Sequence, residues 1–191
     1  MSSVAGHVAA GITAWLCCNT SANRRQRWAV VPFILLAACP DLDYVAVWLA
    51  GYNATPRFTH SILFALSTAL LAQWLMRAAT ASRLPLLWLF LASASHPVLD
   101  LLVGAHPVPL LWPFGAEVAA TVGVLPSAGA LALDNYFLWR NLLIELGVLL
   151  PVFALCAAVC RRTSIKRIAV WTACIAPVWT GFLCWSLTLS R

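Results

Sequence analysis

The chain has 191 residues, of which 62% are hydrophobic and only 9% charged, with 12 Lys and Arg against 6 Asp and Glu. A soluble domain carries about 45–50% apolar and about 25% charged residues, so this composition excludes a soluble globular enzyme, a disordered chain and a nucleic-acid-binding domain. The net charge of +6 is spread in short basic runs between apolar stretches, which is a membrane-topology pattern and not a DNA-binding face.

The pattern predicts an all-α fold, a polytopic membrane helical bundle of about six transmembrane helices with a polar site in its outer half. The apolar segments run 4–18, 28–50, 61–78, 85–103, 141–160 and 168–189, each near the ~20 residues that cross a bilayer. The first is short, but no Lys or Arg precedes it, so it reads as a retained helix and not as a signal peptide. Segment 104–140 is the longest connection; Pro107, Pro109, Pro113 and Pro126 forbid one continuous helix there. Its stretch Leu110-Leu111-Trp112-Pro113-Phe114 is expected in the interface or over a cavity. No internal repeat, low-complexity tract or dividing linker is visible, so residues 1–191 read as a single transmembrane domain.

Loop charge sets the orientation. Arg24, Arg25, Arg27, Arg77, Arg83, Arg161, Arg162, Lys166 and Arg167 fall on one side, nine in all, against Arg57, Arg140 and Arg191 on the other. The positive-inside rule places the nine in the cytoplasm and both termini outside. Trp48, Trp74, Trp88, Trp112, Trp139 and Trp171 stand near segment ends as interface anchors. The seven cysteines read as small buried hydrophobes. Asn53-Ala54-Thr55 matches a glycosylation acceptor, but so short a loop against the membrane makes chance the simpler reading.

Ionisable residues within spans are expensive and mark functional sites. On this topology His7, Asp41, Asp43, His60, His96, Asp100, His106, Glu117, Asp134 and Glu145 all fall in the outer half or in outer loops. His96 and Asp100, spaced i, i+4, share one helix face. Pro40 and Pro97 interrupt helical hydrogen bonding beside the acidic and histidine groups, and a broken helix at membrane depth is tolerated where it lines a cavity. One such histidine alone would be a hydrogen-bonded packing residue. Histidines and aspartates converging from four helices of a nearly uncharged chain point to a metal site, with a proton or ion pathway as the other use of such a set.

Gly6-His7, Cys39-Pro40-Asp41-Leu42-Asp43, Arg57-Phe58-Thr59-His60-Ser61, Ser95-His96-Pro97-Val98-Leu99-Asp100 and Trp112-Pro113-Phe114 occur in that order. This succession over residues 5–115 resembles the YdjM-like family of inner-membrane metal-dependent hydrolases, and less closely zinc-dependent phospholipase C and the related zinc nucleases. The resemblance implies a bacterial inner-membrane protein with a site of one or two Zn2+ ions, its ligands drawn from His7, Asp41, His60, His96 and Asp100. His106 stands six residues after Asp100, where the soluble enzymes place a further histidine ligand. Their final His-x-x-x-Glu pair is represented only by Asn141 and Glu145, which argues against a third metal.

Zinc accepts such ligands and in catalytic sites keeps a position for water, which it activates at neutral pH. Asp41 then bridges metals or acts as base, Asp43 joins it as a catalytic carboxylate, and Arg57 either clamps a phosphate or snorkels at the interface. A site just under the outer headgroups meets lipid phosphates without extracting the lipid. The expected function is hydrolysis of a phosphoester or pyrophosphate in a membrane lipid, with no nucleic-acid partner. A zinc-dependent lipid amidase or esterase is the competing enzyme, and an ion or proton transporter or a metal-stabilised scaffold the competing non-enzymes. A transporter needs polar groups reaching both faces, and the inner halves of the segments offer almost none.

Overall fold

A computed structural model describes residues 2–18, 28–51, 56–80, 84–115, 117–119, 123–127, 132 and 134–189. Arg24, Arg25, Arg27, Asn53, Arg83, Arg191 and the side chain of Trp48 lie outside the described residues. The described chain is helical, with an isolated antiparallel bridge between Val108 and Val118 and no strand. Helix α1 spans Val4–Cys18, α2 Val30–Ala38, α3 Asp43–Ala50, α4 Ile62–Thr80, α5 Leu86–Val103, α6 Tyr136–Cys160 and α7 Ile165–Thr188, with short 3-10 turns at Cys39–Leu42 and Phe58–His60.

Among the described residues, three helices are long and apolar enough to cross a membrane: α5, α6 and α7, of 18, 25 and 24 residues. At 1.5 Å per residue α6 is about 37 Å long, more than the ~30 Å hydrocarbon core. Helices α1 and α4, and the run Val30–Leu42, are apolar but shorter. The segment expected as one helix over 28–50 is instead α2, a 3-10 turn and α3. Pro40 causes the change, because it has no N–H to give the Leu36 carbonyl; the Cys39 thiol donates to that carbonyl at 3.5 Å in its place. Helix α6 starts five residues earlier than expected, since Asn135 caps it by accepting from the Phe137 amide at 3.0 Å.

Helices α1 and α5 form the centre. Helix α1 packs on α2, α5 and α6, while α5 also packs on α2 and α4. Each buries one stripe, Gly6, His7, Ala10, Gly11, Ala14 and Cys17 in α1 and Leu89, Ala92, Ser93, His96, Asp100 and Val103 among others in α5. Ala10 shares an apolar cluster with Leu99 and Val103, and Ala14 shares another with Leu89 and Ala92, so the two helices run antiparallel. Small residues permit the close approach. A Cβ on Gly11 would lie 2.7 Å from the Phe33 carbonyl oxygen, so α2 could not sit where it does against any other residue. The hydroxyls of Thr68 and Ser93, 3.0 Å apart, join α4 to α5.

Helix α7 rests on α6 alone among the larger helix contacts, and Ser186 is its one buried residue among those described. Trp171, Val178, Leu66, Leu70 and Trp74 are exposed, an apolar outer surface that suits lipid and not water. Of the seven cysteines only Cys17 is buried, and Cys156, Cys174 and Cys184 are exposed on α6 and α7. The expectation of buried cysteines fails there because those helix faces look outward from the bundle.

Candidate metal centre

The polar residues gather at one end of the bundle: the start of α1, the end of α2, the turn before α4 and the last two turns of α5. His7 and His96 are fully buried, and their rings stack with centroids 3.8 Å apart and planes 13° from parallel. His60 enters from the Phe58–His60 turn, its ring edge-on to His96 at 4.9 Å. Asp100 reaches the same point one helical turn after His96.

Three atoms define a tight triangle. His60 Nε2 and His96 Nε2 are 3.3 Å apart, His60 Nε2 and Asp100 Oδ2 are 3.3 Å apart, and His96 Nε2 and Asp100 Oδ2 are 3.5 Å apart. Tetrahedral zinc with ligands at about 2.0–2.2 Å has ligand-to-ligand edges of about 3.3–3.6 Å. His96 Nδ1 lies 2.8 Å from the Ala37 carbonyl oxygen. A carbonyl only accepts, so Nδ1 carries a proton, and in the neutral ring Nε2 presents its lone pair to the triangle. One proton would satisfy a single edge of the triangle, whereas a divalent cation satisfies all three corners.

A second, looser group lies beside it. His7 Nε2 stands 3.8 Å from Asp41 Oδ2 and 3.9 Å from Asp100 Oδ1, and His96 Nε2 stands 3.6 Å from Asp41 Oδ1. Each carboxylate therefore turns one oxygen toward His96 and the other toward His7. Both ring nitrogens of His7 and Oδ1 of Asp41 are buried without a hydrogen-bond partner. An unpaired buried polar atom costs about 1–3 kcal/mol, and these fall where a ligand would relieve them. The two sets, His7 with Asp41 and His96, and His60 with His96 and Asp100, fit one or two metal ions.

Other expected site residues stand elsewhere. Asp43 lies behind the His60 ring, its Oδ2 4.0 Å from His60 Nδ1. It binds Arg57, which donates from Nη2 at 2.7 Å and from Nε at 3.1 Å, while Arg57 Nη1 donates to the Tyr44 hydroxyl at 2.8 Å. His106 is exposed and joins neither group. Between Asp100 and His106, Gly104 ends α5 in the left-handed conformation at φ 64°. His106 lines, with Arg57, His60, Asp100 and Glu117, a cavity of about 220 Å³ against the triangle. Asp134 is exposed in the loop before α6.

Four contributors were missed from the sequence. Thr59 donates to Asp43 Oδ2 at 3.0 Å and stands 3.0 Å from His60 Nδ1. The Ala37 carbonyl orients His96. The Ser2 amide donates to Asp100 Oδ1 at 2.9 Å, while the Ser2 hydroxyl and the Ser3 amide donate to the buried Glu145. Glu145 thus ties the start of the chain to α6 and leaves Gly6 no room for a Cβ. A serine pair before an apolar run was the available signal, since Ser3 caps α1 by accepting from the Gly6 amide at 3.0 Å.

The opposite end of the bundle is basic, with Arg161, Arg162, Lys166 and Arg167 around the α6–α7 turn; Arg161 donates to the Leu16 carbonyl near the end of α1. The family model for the YdjM inner membrane protein matches residues 1–188, extending the likeness through the last two helices. No curated protein and no solved structure matches the chain.

Proposed function

The chain belongs to the YdjM inner membrane protein family, and from that premise we propose that it is a membrane-embedded metal-dependent hydrolase acting on a phosphoester or pyrophosphate of a lipid. The observation that carries this reading is the triangle of His60 Nε2, His96 Nε2 and Asp100 Oδ2, with edges of 3.3, 3.3 and 3.5 Å, beside a cavity of about 220 Å³. His60, His96 and Asp100 would hold one ion, and His7 with Asp41 would complete a second position. Zinc bound there would activate water and stabilise negative charge on a phosphoryl oxygen.

The chain's own residues supply the rest. Asp41 is half-buried with an unpartnered Oδ1, so that oxygen is available to a metal or to the proton of the attacking water. Arg57 contributes to the cavity wall on the side of His60, where a phosphate would lie. His106 and Glu117 line the same cavity and meet the headgroup. We place six crossings, with the basic end in the cytoplasm and both termini and the centre at the outer, periplasmic face. This orientation rests on the nine-to-three division of basic residues. It sets the cavity at the depth of the outer headgroups.

The test is metal analysis of the purified protein together with phosphate release from a panel of lipid phosphomonoesters, phosphodiesters and pyrophosphates. Zinc should copurify, and Asp41→Asn should lower turnover at least about 100-fold with the fold intact, while Asp134→Asn stays near wild type. Absence of metal would overturn the centre. Metal-loaded protein that cleaves acyl amides or esters but no phosphoester would overturn the substrate class and leave the centre standing.

A further inference from the structure

Asp43 binds Arg57 and the turn that carries His60, and this gives it a role apart from the reacting atoms. We propose that Asp43 and Thr59 are positioning residues that fix the tautomer of His60, so that its Nε2 lone pair faces the metal position; the inference rests on the metal reading above.

The argument is a count of protons. Asp43 receives two hydrogen bonds from Arg57 at 2.7 and 3.1 Å, the bidentate pairing of a guanidinium with an ionised carboxylate, which only accepts. The Thr59 hydroxyl, 3.0 Å from Asp43 Oδ2, must therefore donate its single proton to that oxygen. Its oxygen is then left to accept, and the group 3.0 Å away on the other side is His60 Nδ1. Nδ1 must carry hydrogen, so in the neutral ring that binds a metal Nε2 carries the lone pair. Nε2 is the atom 3.3 Å from both His96 Nε2 and Asp100 Oδ2. On the far side of the triangle the Ala37 carbonyl imposes the same tautomer on His96. The two histidines are thus locked by different means, one by a helix carbonyl and one by an Arg57–Asp43–Thr59 chain. Tyr44, which accepts from Arg57 and lies under its guanidinium at 4.1 Å, steadies the outer end of that chain. Outer partners of metal-binding histidines usually act this way, and losing one costs about 10–100-fold in metal affinity.

The experiment measures zinc affinity of the full-length protein by chelator competition and the visible absorption of its cobalt(II) form. Thr59→Val keeps the shape and removes the hydroxyl; it should weaken zinc about 10–100-fold and alter the cobalt(II) bands. Thr59→Ser restores the hydroxyl and should return affinity to within a few-fold of wild type. Asp43→Ala should weaken zinc similarly. Because the two residues act in series, the double variant Asp43→Ala/Thr59→Val should be no weaker than the worse single variant. Unchanged affinity and spectrum in Thr59→Val, with wild type binding zinc, would overturn the proposal and leave the metal centre intact. Additive losses in the double variant, or no recovery in Thr59→Ser, would overturn it too. Wild-type protein that binds neither metal would remove the centre itself and this inference with it.

Discussion

His96→Ala tests the proposed metal centre most directly, because His96 belongs to both candidate ligand groups. Its Nε2 lies 3.3 Å from His60 Nε2, 3.5 Å from Asp100 Oδ2 and 3.6 Å from Asp41 Oδ1. Removing it leaves two corners of the tight triangle and two members of the looser group. Losing an outer partner of a ligand costs up to about 100-fold in affinity, so losing the ligand should cost at least that. With zinc at about 100 times the wild-type dissociation constant, binding stabilises the folded protein by about 2.7 kcal/mol; a variant about 100-fold weaker gains only about 0.4 kcal/mol at the same zinc concentration. For a chain of this size each kcal/mol moves the melting temperature by about 2–4 °C. The zinc-induced rise should fall from about 5–11 °C to about 1–2 °C. The comparison is between increments, since the hole left by the ring lowers the metal-free melting temperature by itself. His106→Ala should keep the wild-type increment, because His106 is exposed and outside both groups. A full increment in His96→Ala, an equal loss in His106→Ala, or no increment in wild type would each refute the assignment.

Two further outcomes follow from the packing and from the charge pattern. Gly11→Ala should destabilise the protein by about 1–3 kcal/mol in thermal unfolding, because its Cβ would meet main-chain atoms of Phe33 and Ile34 at 2.7–3.0 Å and no side chain can swing away. It should also shrink the zinc increment, since α2 carries the Ala37 carbonyl and leads into Asp41. A reporter active only outside the cytoplasm, fused after Arg191, should be active; an active cytoplasmic reporter there would invert the orientation and move the centre to the other leaflet.

Helix bounds were legible where polar residues, or Pro and Gly as at Pro85 and Gly104, close an apolar run. The expected 4–18 and 85–103 lie within one residue of α1 and α5. The misses have local causes. Hydropathy reads through Pro40, since proline interrupts a helix by its missing N–H and not by polarity, so α2, the 3-10 turn and α3 merged into one expected span. At α6 the error ran the other way. Arg140 reads as the end of the connection 104–140, yet its guanidinium is bound to the Asn141 side chain, and Asn141 donates to the Ser127 carbonyl at 2.7 Å. Polar side chains that satisfy one another and the neighbouring loop can occupy a helix without ending it.

The cluster of histidines and aspartates was legible for a related reason. In a chain with so few ionisable groups, burying even one without a partner is costly, so His7, Asp41, His60, His96 and Asp100 had to find one another. Their chemistry announced them together with the i, i+4 spacing of His96 and Asp100. Roles within the set were not legible, because they depend on which atom of a group faces which neighbour. Asp41 and Asp43 are the same residue type two positions apart. In the 3-10 turn Asp41 presents its carboxylate to His7 and His96, while Asp43, opening α3, faces Arg57 and Thr59. Where the turn tightens determines which of the two carboxylates faces the histidines. Pro40 sets where the turn tightens, and so the division of labour between the two carboxylates is decided by the residue that hydropathy could not see.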